Sequence, residues 1–290
     1  MHIFCFQRRR FLNILEVPSE MDKFISLFRR QRGVIVAMVH IKALPGTPRN
    51  SQRMSKIIDV ALEEAEMYKN AGVDAIMLEN MHDLPYLPPH KIGPEITAGM
   101  AAVAYNVKRS LPHLPCGIQV LSAGNNIAIA IAQAAGLEFV RAEGFVFSHV
   151  ADEGLLNACA GELLRYRKSI QAEDVLIYTD IKKKHSSHAI TSDLSVSEVA
   201  RAAEFFGSDG TIVTGTETGS PVEKRDLEDV LRSVKIPVLV GSGVTSQNVS
   251  NFISANALIV GSHFKRDGLW SNEIVPEQVE EFVRTVRSLR

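Results

Sequence analysis

From Gly33 onward, short apolar runs rich in β-branched residues alternate with longer amphipathic segments. The apolar runs lie at 34–40, 74–80, 117–122, 139–143, 175–181, 211–214, 238–241 and 258–261. Amphipathic patterns with alanine- or leucine-rich faces lie at 57–70, 95–110, 126–135, 155–169, 197–206, 224–233, 246–254 and 276–289. The first kind of run fits buried strands and the second fits helices packed on one face. Strand and helix alternating eight times predicts parallel strands joined by right-handed crossovers, closed as a (β/α)₈ TIM barrel over 33–290. Gly72, Gly136 and Gly207 stand where helices should end, and Ser51, Ser197 and Thr245 where N-caps should be. A doubly wound open sheet would need an early glycine-rich phosphate turn. The first strand instead runs into His40-Ile41-Lys42-Ala43-Leu44-Pro45-Gly46.

The segment 1–32 stands outside this rhythm. Residues 18–31 read as a capped helix that could plug the barrel bottom. Ahead of it, Arg8, Arg9 and Arg10 lie among Phe4, Phe6, Phe11, Leu12 and Ile14, with Glu16 the one acid up to Val17. An arginine-rich, acid-poor leader has the composition of a mitochondrial transit peptide. The other reading is a mis-started N-terminus with the true start at Met21, so mitochondrion and cytoplasm both stay open.

The net charge of −1 over 290 residues gives no basic field for nucleic acid. No apolar run approaches the ~20 residues of a membrane span. Three cysteines are too few and too scattered for a disulfide framework or a metal site. Barrels of this size often pair, so a homo-oligomer is an expectation.

Barrels that bind phosphate commonly use the loops after their last two strands. Here those loops read Gly241-Ser242-Gly243-Val244-Thr245 and Val260-Gly261-Ser262-His263. Glycine lets backbone N–H groups approach an anion closely, and a helix starting at Thr245 would add positive dipole. Lys265 and Arg266, next along, would either neutralise the phosphate or sit at the surface.

Catalytic groups belong at the C-terminal strand ends, where residues two apart share a face. That rule collects His40, Glu79, Asn80, Gln119, Arg141, Glu143, Asp180, Lys182 and Thr214. Glu79 and Asp180 are candidate acids and bases, and Lys182 and Arg141 candidates to stabilise negative charge. A Schiff base at Lys182 is one option. The bland alternative is buried pairing, Arg141 with Glu79 or Lys182 with Asp180. Removal of Glu79 or Asp180 is expected to spare the fold. His185 and His188 invite a metal reading, but the segment looks like loop and offers no clear third ligand. No organic-cofactor motif is present, and the cofactor stays unassigned.

The stretches Met38-Val39-His40-Ile41-Lys42-Ala43-Leu44-Pro45-Gly46-Thr47-Pro48, Asp74-Ala75-Ile76-Met77-Leu78-Glu79-Asn80 and Asp180-Ile181-Lys182-Lys183-Lys184-His185 resemble the BtpA/SgcQ family. So do Ile212-Val213-Thr214-Gly215-Thr216-Glu217-Thr218-Gly219 and both glycine turns, and the likeness covers about 33–286. The resemblance implies a barrel of the ribulose-phosphate-binding type. One member of that family is linked to photosystem I accumulation and another sits among sugar-metabolism proteins, and neither brings a settled reaction. The strand-four end, Arg141-Ala142-Glu143-Gly144, departs from the Asn- and Val-rich pattern of many relatives. Two functional classes follow. One is an enzyme of lyase, isomerase or hydrolase type acting on a phosphorylated sugar or nucleotide-like compound. The other is a non-catalytic assembly factor.

Overall fold

A computed structural model describes residues 18–215 and 217–290; the arginine-rich leader at 1–17 lies outside the described residues. Eight parallel strands close into a barrel in sequence order: β1 Val34–His40, β2 Ala75–Glu79, β3 Cys116–Gln119, β4 Phe139–Ala142, β5 Leu176–Ile181, β6 Gly210–Val213, β7 Val238–Val240 and β8 Ala257–Val260. β8 pairs back onto β1 through Val36↔Ile259. Each strand is buried along its length, as a sheet covered on both faces requires.

The two faces of each strand go to two different cores. Ile35, Ala37 and Val39 of β1 point outward and join the helix layer. Val34, Val36 and Met38 point inward and join Met77, Phe139, Tyr178, Ile212, Leu239 and Ile259 in the barrel interior. Large and small residues alternate there. A Cβ on Gly117 would lie 2.2 Å from the Phe139 ring, so only glycine leaves room for that aromatic.

Helix α1, Glu20–Phe28, closes the N-terminal end of the barrel. A capping box between Ser19 and Asp22 starts it. Its Phe24 and Phe28 stack against Tyr178 and Phe139, with Phe28 5.6 Å from Phe139 and Phe24 6.3 Å from Tyr178. The outer helices are α2 Met54–Ala71, α3 Pro94–Ser110, α4 Asn125–Ala135, α5 Ala160–Ser169, α6 Val196–Phe205, α7 Lys224–Ser233 and α8 Pro276–Leu289. Gly72, Gly136 and Gly207 take positive φ just past α2, α4 and α6.

Three local expectations fail for identifiable reasons. The helix expected at 246–254 is only a short 3₁₀ turn, Val249–Asn251. Asn248 captures the backbone ahead of it, accepting from the Thr245 N–H at 2.7 Å and donating to the Gly243 carbonyl at 2.8 Å. A side chain that satisfies the backbone locally competes with a helix. The start of the expected helix at 155–169 is instead a hairpin, His149–Ala151 with Gly154–Leu156, joined by Ser186–Ser187 into a small antiparallel sheet. Ser195 rather than Ser197 caps α6, and Arg53 rather than Ser51 precedes α2.

Candidate active site at the barrel mouth

At the C-terminal rim, His40 pairs in register with Glu79, and Glu79 with Gln119. Three adjacent strands thereby present one polar row at the top of the interior. The His40 Nε2 lies 3.6 Å from the Glu79 carboxylate. His40 Nδ1 lies 3.1 Å from the Trp270 carbonyl, an acceptor only, so Nδ1 carries the proton and donates it. The unprotonated Nε2 then faces Glu79.

Burial pulls the His40 pKa down to about 3, helped by the positive charge of Lys265 and, less, by His82 and Lys184. Burial pushes the Glu79 carboxyl up, while Arg141 and Lys184 oppose the rise. The site therefore holds a neutral imidazole beside a carboxyl that keeps its proton to a higher pH than usual. One consequence can be measured. His40 is neutral when folded and protonates readily when unfolded, so its contribution to stability is fully present above about pH 6.5 and is lost as the pH falls toward about 3. The loss is at most ~1.4 kcal/mol per pH unit. His40→Gln should flatten that acid limb in urea midpoints taken from pH 7 to pH 4. An unchanged slope would show that His40 is not the group responsible.

Arg141 of β4 reaches across to Asp180 of β5. Its Nε lies 3.1 Å from both carboxylate oxygens, and one terminal nitrogen lies 2.9 Å from Oδ1. Both side chains are almost fully buried. This pair replaces the two expected ones, Arg141 with Glu79 and Lys182 with Asp180. Lys182 does not share the Asp180 face. Its φ of +45° turns the chain out of the pleat at the strand end, and its ammonium binds the Leu194 carbonyl. The turn brings the next two lysines inward instead. Lys183 lies 3.2 Å from Glu143. Lys184 lines the mouth beside Glu79 and Arg141, and its ammonium has no hydrogen-bond partner among the described residues. Burial, then Arg141, lowers its pKa. No periodicity rule could choose among Lys182, Lys183 and Lys184.

Glu143 is held by Gln119 Nε2 at 3.2 Å, the Ala123 N–H at 2.8 Å and Lys183. Burial would raise its pKa, but Lys183 and the Ala123 N–H bring it below the usual range. Thr214 accepts from the Lys184 backbone N–H at 3.2 Å, tying the β5 loop to β6.

The glycine turns lie on the other side of the mouth. Ser242 accepts from the Gly215 N–H at 2.6 Å and donates to the Ser220 carbonyl at 2.9 Å, which commits its hydroxyl to the loop. Gly243 takes φ +66°, and a Cβ there would lie 2.3 Å from the Pro221 backbone. The N–H groups of Gly243, Val244 and Ser262 donate to nothing among the described residues. His263 Nε2 accepts from the Ser246 N–H at 3.1 Å, pinning the two turns together. A cavity of about 230 Å³ touches both turns and also His40, Glu79, Arg141 and Lys184. With no helix at Thr245, the turns offer backbone N–H groups without a helix dipole. Lys265 does not reach this cavity rim; it is buried in an ion pair with Glu64 of α2 at 2.8 Å. Arg266 pairs with Glu273 at the surface.

His185 and His188 part company. His185 Nε2 lies 2.9 Å from the Thr218 hydroxyl, and His188 Nε2 lies 2.9 Å from the Lys183 carbonyl. Among the described residues no three His, Cys, Asp or Glu side chains converge as a metal-ligand set. No described helix is long and apolar enough to cross a membrane. Trp270 escaped the sequence reading and Lys184 was passed over for Lys182, because each arrives from a loop, where no periodic pattern announces direction.

The BtpA family model matches residues 31–288. A Caenorhabditis elegans protein whose name places it in the mitochondrion is 45% identical over 268 residues, covering 91% of this chain and 96% of that one. The photosystem I biogenesis protein BtpA of Synechocystis is 33% identical, covering 87% of each chain. Among solved structures, (S)-3-O-geranylgeranylglyceryl phosphate synthase from Thermoplasma acidophilum, in complex with its substrate sn-glycerol-1-phosphate, superposes with a TM-score of 0.57. The identity is 13%, and the match covers 94% of this chain and 100% of that one.

Proposed function

The chain belongs to the BtpA family, and from that premise we propose that it is an enzyme acting on a phosphorylated small molecule. One observation carries the reading: a single cavity joins two glycine turns with undonated N–H groups to His40, Glu79, Arg141 and Lys184. The turns at Gly241–Thr245 and Gly261–His263 hold the phosphate, as loops after the last two strands do in many barrels. The fold neighbour solved with a glycerol phosphate supports a phosphorylated ligand class.

Glu79 is the general acid or base, working beside neutral His40. A carboxyl whose pKa is raised by burial is suited to proton transfer nearer neutral pH. Arg141 and Lys184 stabilise negative charge as it develops, with Asp180 orienting the guanidinium. Lys184 takes the part the sequence reading had given to Lys182. Proton-transfer chemistry of the isomerase or lyase kind uses such a set. The assembly-factor reading rests on the Synechocystis relative's name. Against it, a buried group of charges with no ligand is a stability cost without a return.

Inorganic phosphate is the probe for the turns. Phosphate titrated into the protein should bind at the Gly243, Val244 and Ser262 amides and perturb their NMR resonances. Gly243→Ala should weaken that binding at least ~10-fold, because a Cβ 2.3 Å from the Pro221 backbone forces the turn to shift and carries its N–H groups away from the anion. Perturbations confined to the opposite barrel end would overturn the assignment. The leader's composition and the name of the worm relative together support a mitochondrial location. A fluorescent fusion of residues 1–32 should then enter mitochondria, and a diffuse cytosolic signal would count against it.

A further inference from the structure

A second cavity of about 210 Å³ opens beside the first and shares Glu79, Met81, Arg141, Lys184 and Thr218 with it. Together they reach the size of small-molecule sites, roughly 300–1,000 Å³. The glycine turns lie along only the first cavity, so an anchored phosphate would leave the second for the rest of the ligand.

The second cavity has an unusual wall. Tyr86 and Trp270 are the aromatic side chains among its lining residues. Both are held in place: the Tyr86 hydroxyl donates to the Met81 carbonyl at 2.7 Å, and Trp270 packs 4.8 Å from the His82 ring. Gln119 and Glu153 also line it, and each has a buried oxygen with no hydrogen-bond partner among the described residues. Gln119 is 2% exposed. Its amide cannot be flipped without loss, because Nε2 donates to Glu143. Its oxygen is therefore an acceptor waiting for a donor. Glu153 sits in the tight turn of the His149–Leu156 hairpin, which overhangs the mouth. A buried acceptor left unpaired is destabilising, and such groups call for a partner.

We infer that this second cavity takes a planar nitrogen heterocycle bearing N–H donors, so that the ligand is a nucleotide-like phosphate ester rather than a simple sugar phosphate. The inference rests on the phosphate reading above and narrows its substrate class. Aromatic side chains suit a planar ring, and carboxylate and amide oxygens suit its N–H edge. A polyol would satisfy the oxygens but gain little from the aromatic side chains.

The test is calorimetric binding of AMP, GMP, adenosine, guanosine, ribose 5-phosphate and phosphoethanolamine to the full chain and to Gln119→Leu, Glu153→Ala and Gly243→Ala. At least one nucleotide should bind about tenfold or more tightly than ribose 5-phosphate. Gln119→Leu and Glu153→Ala should erode that advantage, weakening the nucleotides more than ribose 5-phosphate. Gly243→Ala should weaken nucleotides and ribose 5-phosphate alike. Two variants on separate elements guard against one that misfolds. Ribose 5-phosphate or phosphoethanolamine binding as tightly as the nucleotides overturns the heterocycle and leaves the phosphate reading standing. Nucleosides binding as tightly as nucleotides, with no response to Gly243→Ala, overturns the phosphate and leaves the heterocycle. Absence of binding by every compound overturns both.

Discussion

Asp180→Ala should destabilise the protein by ~3–5 kcal/mol, the cost of stripping one partner from a buried ion pair. The Asp180 side chain is 1% exposed and that of Arg141 is 4% exposed. Without Asp180 the guanidinium loses all three of its contacts to that carboxylate. Glu79 and Glu143 add attraction at longer range, but no hydrogen bond joins either to Arg141 among the described residues. For a domain of this size the loss corresponds to a fall in melting temperature of roughly 6–20 °C. This reverses the expectation from sequence that Asp180 could be removed harmlessly. The companion variant Asp180→Leu/Arg141→Met removes both charges and should recover much of the stability, since replacing both members of a buried pair with apolar groups is often neutral. It should still fail to bind inorganic phosphate tightly, because Arg141 lines the cavity proposed to hold phosphate. A single variant that melts like the parent would show that the pair does not hold the mouth together.

Glu79→Gln should do the opposite. The Glu79 carboxyl ends β2 facing the cavity and makes no hydrogen bond among the described residues; it lies 3.6 Å from His40 Nε2. Glutamine keeps the shape and removes the ionisable proton, so the melting temperature should stay within a few degrees of the parent. Turnover of any phosphorylated compound the protein converts should fall by ~10²–10⁴, the usual worth of a positioned acid or base. Phosphate affinity should hold, because the amides of the glycine turns are untouched. A variant that melts early yet turns over normally per folded molecule would make Glu79 scaffolding.

The contrast between these two carboxylates marks the reach of local pattern. The alternation of side chains along a strand depends only on the chain itself. It correctly set His40, Glu79, Arg141 and Asp180 inward at the rim, and the eightfold repeat of strand and helix was enough for a closed barrel. The glycine turns were legible too, because close backbone approach demands glycine wherever it occurs.

Partner choice was not legible. Arg141 and Asp180 lie 39 residues apart, and Lys265 and Glu64 lie 201 apart. Only the closed barrel brings them within hydrogen-bond reach. Periodicity also stops where the strand stops. One positive φ at Lys182 rotated the following lysines, moving Lys184 rather than Lys182 into the cavity. At 246–254 a helical pattern yielded to Asn248, which bonded the backbone of the turn ahead of it first. The second cavity joins the ends of β2, β3, β4 and β5 to a hairpin turn and loops that meet only above the finished barrel. Sequence thus determined which residues face the mouth from the strands, because that geometry is local. Tertiary structure decided their partners and what the loops add, because those depend on distances that exist only after closure.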